Sequence, residues 1–271
     1  MNITKNTFEN YIPSFRAAAP YIFDNLTAYI SEAKSYVEQL CGRDPAEIAT
    51  ATEQATALVC YRAAHRAVPG MDLILTENGF GVVSSQNVAP ASRARTDALA
   101  ESLRMLESQA EDNLVFALLR TEWRETPQAV ARMQSLLWCP TLLRRHGIAI
   151  DGREAYTEEF LKLKPRIEQA EENVRAIIGT ELWSSLVERQ RTQPIVEEVA
   201  YVILTERARQ FMAVAVTSTD PKRLVAQKMR LVDVLHRYES SLPEYTNSST
   251  YRAEHSSNYE NKPTDKTYFF E

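Results

Sequence analysis

Seven glycines in 271 residues leave this chain few places where the backbone can take a positive φ without strain. Ordinary usage is about 7%, more than twice what is present. Tight β-hairpins and phosphate-binding loops both lean on glycine, so an all-β fold and a glycine-rich nucleotide fold are both poorly served. What recurs instead is apolar residues three and four apart, the pattern of helices with one buried face. Hydrophobic content of 44% and charged content of 25% are those of an ordinary packed protein. The length suffices for one large or two small cores. A net charge of −5 supplies no global basic field of the kind that draws in nucleic acid.

Local signals divide the chain. Residues 1–23, polar and aromatic with Pro13 and Pro20, read as an N-terminal arm. Asp24 is placed to cap a helix to about Leu40, with Leu26, Tyr29, Ile30, Ala33, Val37 and Leu40 on one face. Asp44-Pro45 opens the next, to about Val68, before Pro69-Gly70. Asn78-Gly79 between Leu73-Ile74-Leu75 and Phe80-Gly81-Val82-Val83 predicts a β-hairpin over about 72–84. A long helix follows over about 91–120, and Thr126-Pro127 opens another to Trp138. A short helix spans Thr141 to His146. The stripe Tyr156, Phe160, Leu163, Ile167, Ala170, Val174 and Ile177 predicts a helix over about 153–178, which Pro165 should kink or split. Thr180 caps a short helix through Gln190, Thr192 and Pro194 open one to about Val216, and Asp220-Pro221 opens the last, to about Tyr238, with Leu224, Val225, Val232 and Leu235 inward. The expectation is a mainly α protein: a bundle of about seven to nine helices with one β-hairpin and extended N- and C-terminal arms. The body is residues 24–241, divisible at 140/141, with no internal repeat.

The last 29 residues, Pro243 to Glu271, hold no Leu, Ile, Val, Met, Cys or Trp. They do hold Tyr245, Tyr251, Tyr259, Tyr268, Phe269 and Phe270. A segment without aliphatic residues cannot build a core of its own, yet its rings suit docking on another surface. Residues 242–271 therefore read as an extended aromatic arm. Its six aromatic residues, together with the hairpin tip Glu77, Asn78, Gly79 and Phe80, are the candidate contact residues.

No catalytic motif competes with that reading. Cys41, Cys60 and Cys139 are odd in number, lack CxxC spacing and have apolar neighbours, as buried free thiols do. His65, His146, His236 and His255 make neither HExxH nor a helical ExxH pair, and read as surface or capping histidines. Glu171-Glu172 and Glu197-Glu198 are adjacent pairs, whose side chains diverge by about 100° on a helix, so each reads as a solvated face. Arg93 with Arg95, and Arg144 with Arg145, read first as salt-bridging spots and second as local phosphate contacts, and Trp123, Trp138 and Trp183 read first as boundary core residues and second as a subunit contact. Gly79-Phe80-Gly81 lacks the third glycine of a dinucleotide loop, where Ser84 stands. No cofactor and no metal is expected, and no catalytic residue is nominated. Met1 to Glu9 carries no apolar run of a signal peptide, and no stretch approaches the ~20 apolar residues of a membrane helix.

Two strings carry a resemblance. Gly79-Phe80-Gly81-Val82-Val83-Ser84-Ser85-Gln86-Asn87-Val88-Ala89-Pro90-Ala91-Ser92-Arg93, and Asn258-Tyr259-Glu260-Asn261-Lys262-Pro263 with Tyr268-Phe269-Phe270, resemble an uncharacterised family of tailed phages and prophages of gut bacteria. The helical body with arms is in turn similar to head–tail connector (adaptor) proteins. That resemblance implies a non-enzymatic virion protein, assembled in the host bacterial cytoplasm. It would form a ring of copies of itself, commonly twelve, below the portal, in contact with portal and with tail or neck proteins, and with DNA only by proximity in the channel. A collar, stopper or other ring protein is an alternative on the same resemblance. From the residues alone, a monomeric helical binding or regulatory protein with a self-docked tail stands beside it, and an enzyme of unrecognised type is a third reading.

Overall fold

A computed structural model describes residues 1–15, 20–71, 73–76, 79–82, 93–148, 156–193 and 198–255. The chain is mainly helical. Its elements in order are α1 (Lys5–Tyr11), α2 (Pro20–Cys41), α3 (Thr52–Met71), β1 (Leu73–Thr76), β2 (Gly79–Val82), α4 (Arg93–Leu118), α5 (Pro127–Arg132), α6 (Pro140–Arg145), α7 (Tyr156–Ile178), α8 (Thr180–Thr192), α9 (Val199–Thr217), α10 (Pro221–Arg237), α11 (Pro243–Thr246) and α12 (Ser249–Glu254). The two strands pair antiparallel, Leu73 opposite Val82 and Thr76 opposite Gly79.

Helix starts follow local chemistry. Asp220 accepts from the Lys222 N–H at 2.9 Å with Pro221 behind it, and Thr126 accepts from the Ala129 N–H at 3.3 Å ahead of Pro127, each satisfying a donor that the first helical turn leaves free. Asp44 caps in the same way, through the Ala46 N–H at 2.9 Å, but the turn it opens is a 3-10 turn, Pro45–Glu47. The helix proper begins at Thr52.

In the first half α3 lies between α2 and α4. Its small inward residues Ala55, Ala63, Ala64 and Ala67 are fully buried and let the neighbouring helices approach closely. Polar groups tie this layer together. Arg132 and the Tyr36 hydroxyl both donate to Glu111, at 2.5 and 2.9 Å. The Arg62 guanidinium lies 3.7 Å over the Tyr36 ring and donates to Glu107 at 2.6 Å, where His65 also pairs at 2.6 Å. Burial would raise the Glu107 pKa, but the His65 hydrogen bond and the Arg62 charge outweigh it and hold it below the usual value.

In the second half α9 packs on α10 and α7, and α8 follows α7. The halves are joined by a buried non-helical stretch. Leu136, Leu137, Trp138 and Cys139 are all within the core, so their backbone needs partners. Gln190 donates to the Ser135 carbonyl at 2.6 Å and Arg209 to the Leu136 carbonyl at 3.0 Å. One apolar cluster runs from Ile3 to Tyr245 through both halves.

Several expectations are corrected. Residues 1–15 are not an extended arm: α1 is capped by Thr4, and Ile3, Phe8, Ile12 and Phe15 enter the core, with Phe8 edge-on to Phe15 at 5.5 Å. The spacing Phe8, Ile12, Phe15 is helical, so the short helix has an apolar face to dock. α2 begins at Pro20 rather than at Asp24. The C-terminal arm is not extended over its first part, since α11 and α12 lie there. With α1, these short pieces take the count to twelve α-helices among the described residues against the seven to nine expected, and α5 ends at Arg132 rather than Trp138. α9 starts at Val199, after Thr192 and Pro194. α7 runs through Pro165 without a break, and the Leu161 one turn before it, whose carbonyl loses its partner, is 55% exposed, where water can satisfy that oxygen.

Candidate functional site

The C-terminal segment builds a polar latch on the second half. Leu242, Tyr245 and Ser248 are fully buried. Glu244 accepts from the Ser185 hydroxyl of α8 at 2.7 Å and from the Tyr201 hydroxyl of α9 at 2.5 Å, with Arg189 at 3.6 Å. The Arg189 guanidinium stacks 3.7 Å over the Tyr201 ring. Tyr245 donates to Glu254 at 2.6 Å, Tyr251 donates to Glu239 at 2.5 Å, and the two tyrosine rings meet edge-on at 5.2 Å. His236 of α10 pairs with Glu254 at 3.4 Å, and His255 stacks on Tyr251 at 3.9 Å. The Tyr245 hydrogen bond holds the Glu254 pKa below its usual value, helped by His236.

Beside the latch an open groove of about 580 Å³ runs between α9 and α10. Its apolar wall is Val202, Ile203 and Val234, and its charged residues are Glu206, Arg207, Arg230, Asp233 and Arg237. Arg237 is held by Asp233 at 2.8 Å and Arg207 by Gln210 at 2.8 Å. Glu206 also reaches the buried His146 of the α6 C-terminus at 3.7 Å. Burial pushes the His146 pKa down, against the pull of Glu206. The same helix pair leaves large apolar side chains in solvent: Val199 is 60% and Val202 46% exposed on α9, Val225 56% and Met229 68% exposed on α10.

The structure separates the nominated contact residues. Tyr245 and Tyr251 pack within their own chain, on Glu254, Glu239 and each other. Gly79 and Phe80 stand in β2, opposite Thr76 and Leu75. Tyr259, Tyr268, Phe269, Phe270, Glu77 and Asn78 lie outside the described residues. The groove residues escaped sequence reading because two helices make them together. Val225 was readable as apolar but was placed inward. The core side of α10 is set by Leu231, Val234 and Leu235, and Val225 falls outside it. Glu171, expected on a solvated face, is 7% exposed, since it follows Ile167 by one turn on the buried side of α7. Its neighbour Glu172 is exposed and pairs with Arg175 at 2.7 Å. Glu197 lies outside the described residues, while Glu198 pairs with Arg189 at 3.2 Å.

The thiols are buried and three of the four histidines are paired. Cys41, Cys60 and Cys139 are buried free thiols, and burial pushes the first up to about 11 and the other two up to about 12. His65, His146 and His236 each meet a glutamate from another element. Trp123, Trp138 and Trp183 are all buried. Among the described residues no three His, Cys, Asp or Glu side chains gather as a metal site, and no helix is long and apolar enough to cross a membrane.

A model for a family of unknown function (DUF6712) matches residues 22–132, less than half of the chain, from α2 to α5. Comparison with curated proteins and with solved structures finds no match.

Proposed function

We propose that the chain is a non-enzymatic structural protein of a tailed-phage or prophage particle, a head–tail adaptor that forms a ring below the portal through its helical faces. The placement in a particle rests on the two sequence strings. The mode of action is carried by one observation: of the nine large apolar side chains exposed among the described residues, four, Val199, Val202, Val225 and Met229, stand on the α9–α10 pair. Large apolar side chains grouped on one helix pair mark a surface that a partner covers. A second copy can cover it with a different one of its helical faces, and such a heterologous contact, repeated between copies, closes into a ring.

The test has two parts. Light scattering on the full chain, beside a Val225→Asp/Met229→Asp variant, should show a large oligomer that the variant loses while remaining folded. Deleting the gene from its phage or prophage should leave heads without attached tails, and the wild-type gene should restore them. Normal particles without the protein overturn the reading.

A second reading has its own observation. Residues 243–255 fold back on the subunit through Tyr245 and Glu244, as in a monomeric helical binding or regulatory protein with a self-docked tail. That protein stays a monomer at high concentration and is dispensable for particles. A collar or stopper role on the same surfaces would be separated by where the protein sits in purified particles.

A further inference from the structure

We propose that the outer face of α10 docks on the outer face of α2 of a second copy, a cationic helix against an anionic one. This contact rests on the ring reading and supplies the two unlike faces that such a ring needs.

The two helices stand at the two ends of the packing order. α2 packs on α3, α3 on α4, α4 on α7, α7 on α9 and α9 on α10. Each end helix buries one stripe and leaves its other side in solvent. On α2 the stripe is Leu26, Ile30, Ala33, Val37 and Cys41, and Asp24, Glu32 and Glu38 are exposed across from it. On α10 the stripe is Leu231, Val234 and Leu235, and Lys222, Arg223, Lys228, Arg230 and Arg237 are exposed. A chain whose two end faces complement each other adds copies head to tail.

These faces are opposite in sign. Lys34 is the one cation of α2, beside three carboxylates, whereas α10 sets five Lys or Arg against the single carboxylate of Asp233. Asp24, Glu32, Glu38, Lys222, Arg223, Lys228 and Arg230 make no ion pair among the described residues, and Arg237 is held by Asp233 at 2.8 Å. The spacing matches as well. Asp24 to Glu38 and Arg223 to Arg237 each run about 21 Å along their helix, with Glu32 and Arg230 near the middle. So do the sizes. Val225 and Met229 project from α10, while the exposed residues between the carboxylates of α2 are small: Ala28, Ser31 and Ser35. Opposite charge fixes partner and register, and the contact also covers the two apolar side chains. A phosphate backbone would leave Val225 and Met229 uncovered, and the chain's net charge of −5 opposes its approach.

Charge reversal on each face, alone and mixed, tests this in the full chain. One variant is Arg223→Glu/Arg230→Glu and the other Glu32→Lys/Glu38→Lys. All four positions are exposed, and thermal unfolding beside wild type shows that each variant folds. Light scattering at low salt should give a large oligomer for wild type and a monomer for either variant alone, where like charges meet. An equimolar mixture of the two should regain the wild-type mass, because each reversed face then meets its opposite. Raising the salt should dissociate the wild-type oligomer. A Glu32→Lys/Glu38→Lys variant that assembles like wild type shows that α10 docks elsewhere on the second copy, which overturns this contact and leaves the ring. A mixture of folded variants that stays monomeric overturns it too. So does a wild type that is monomeric at every concentration, or that binds a DNA duplex through α10 instead. The ring reading is judged separately, by the gene deletion.

Discussion

Glu244 takes hydrogen bonds from Tyr201 at 2.5 Å and Ser185 at 2.7 Å, and its side chain is only 27% exposed. Burial pulls its pKa upward, but those two hydroxyls and Arg189 outweigh it, and the carboxyl ends below its usual value. A carboxylate depressed on folding stabilises the protein above the unfolded-state pKa, and that contribution is lost as pH falls through the folded value. Hydrogen bonds to a charged group contribute about 1.5–3 kcal/mol, to be taken at the low end at a site open to water. Glu244→Ala should therefore cost about 2 kcal/mol at pH 7, read as a lower urea midpoint. The gap to wild type should narrow as pH drops below the carboxylate range. Glu244→Gln, which keeps one acceptor oxygen, should fall between. A pH-independent gap would mean that the loss is packing and not charge.

At the scale of elements, what could be read in advance was what neighbouring residues decide by themselves. Asp220-Pro221 and Thr126-Pro127 start helices because cap and donor lie within three residues. The terminal segments misled for the opposite reason. Counting aliphatic residues asks whether a segment can build a core, whereas Phe8 and Tyr245 only have to fill places in a core that other helices make. The groove is likewise a property of the α9–α10 pair, visible in neither helix alone. Gly179 shows such a joint at one position. It links α7 to α8 at φ 85 and ψ 154, a region nearly confined to glycine. A Cβ there would also stand 3.3 Å from Ser248 and Thr250 of the C-terminal segment. Gly179→Ala should cost about 2 kcal/mol and speed amide exchange across residues 243–255, because the strain is relieved by pushing that segment away. Stability within about 0.5 kcal/mol of wild type would show that the joint shifts freely.

For the whole molecule, the packed body does not end at Leu242 but continues through Tyr245, Ser248 and Glu254. Ending the chain at Leu242 removes Tyr245 and Ser248 from the core and strips Tyr201 and Ser185 of their acceptor. Losing one buried aromatic side chain costs about 3–5 kcal/mol, and a domain's total stability is only about 5–15 kcal/mol. That truncation should therefore unfold at much lower temperature or fail to stay folded. Ending the chain at His255 leaves every described residue in place, so its unfolding should lie within about 1 kcal/mol of the full chain. Thermal unfolding of the three proteins side by side checks both statements. If the chain ending at Leu242 melts with the full chain, the packing assigned to Tyr245 is wrong. If the chain ending at His255 falls as far as the shorter one, residues 256–271 belong to the core. The choice of boundary also governs any assay of assembly: an oligomer lost on truncation at Leu242 reports a damaged fold, whereas one lost on truncation at His255 reports the tail itself.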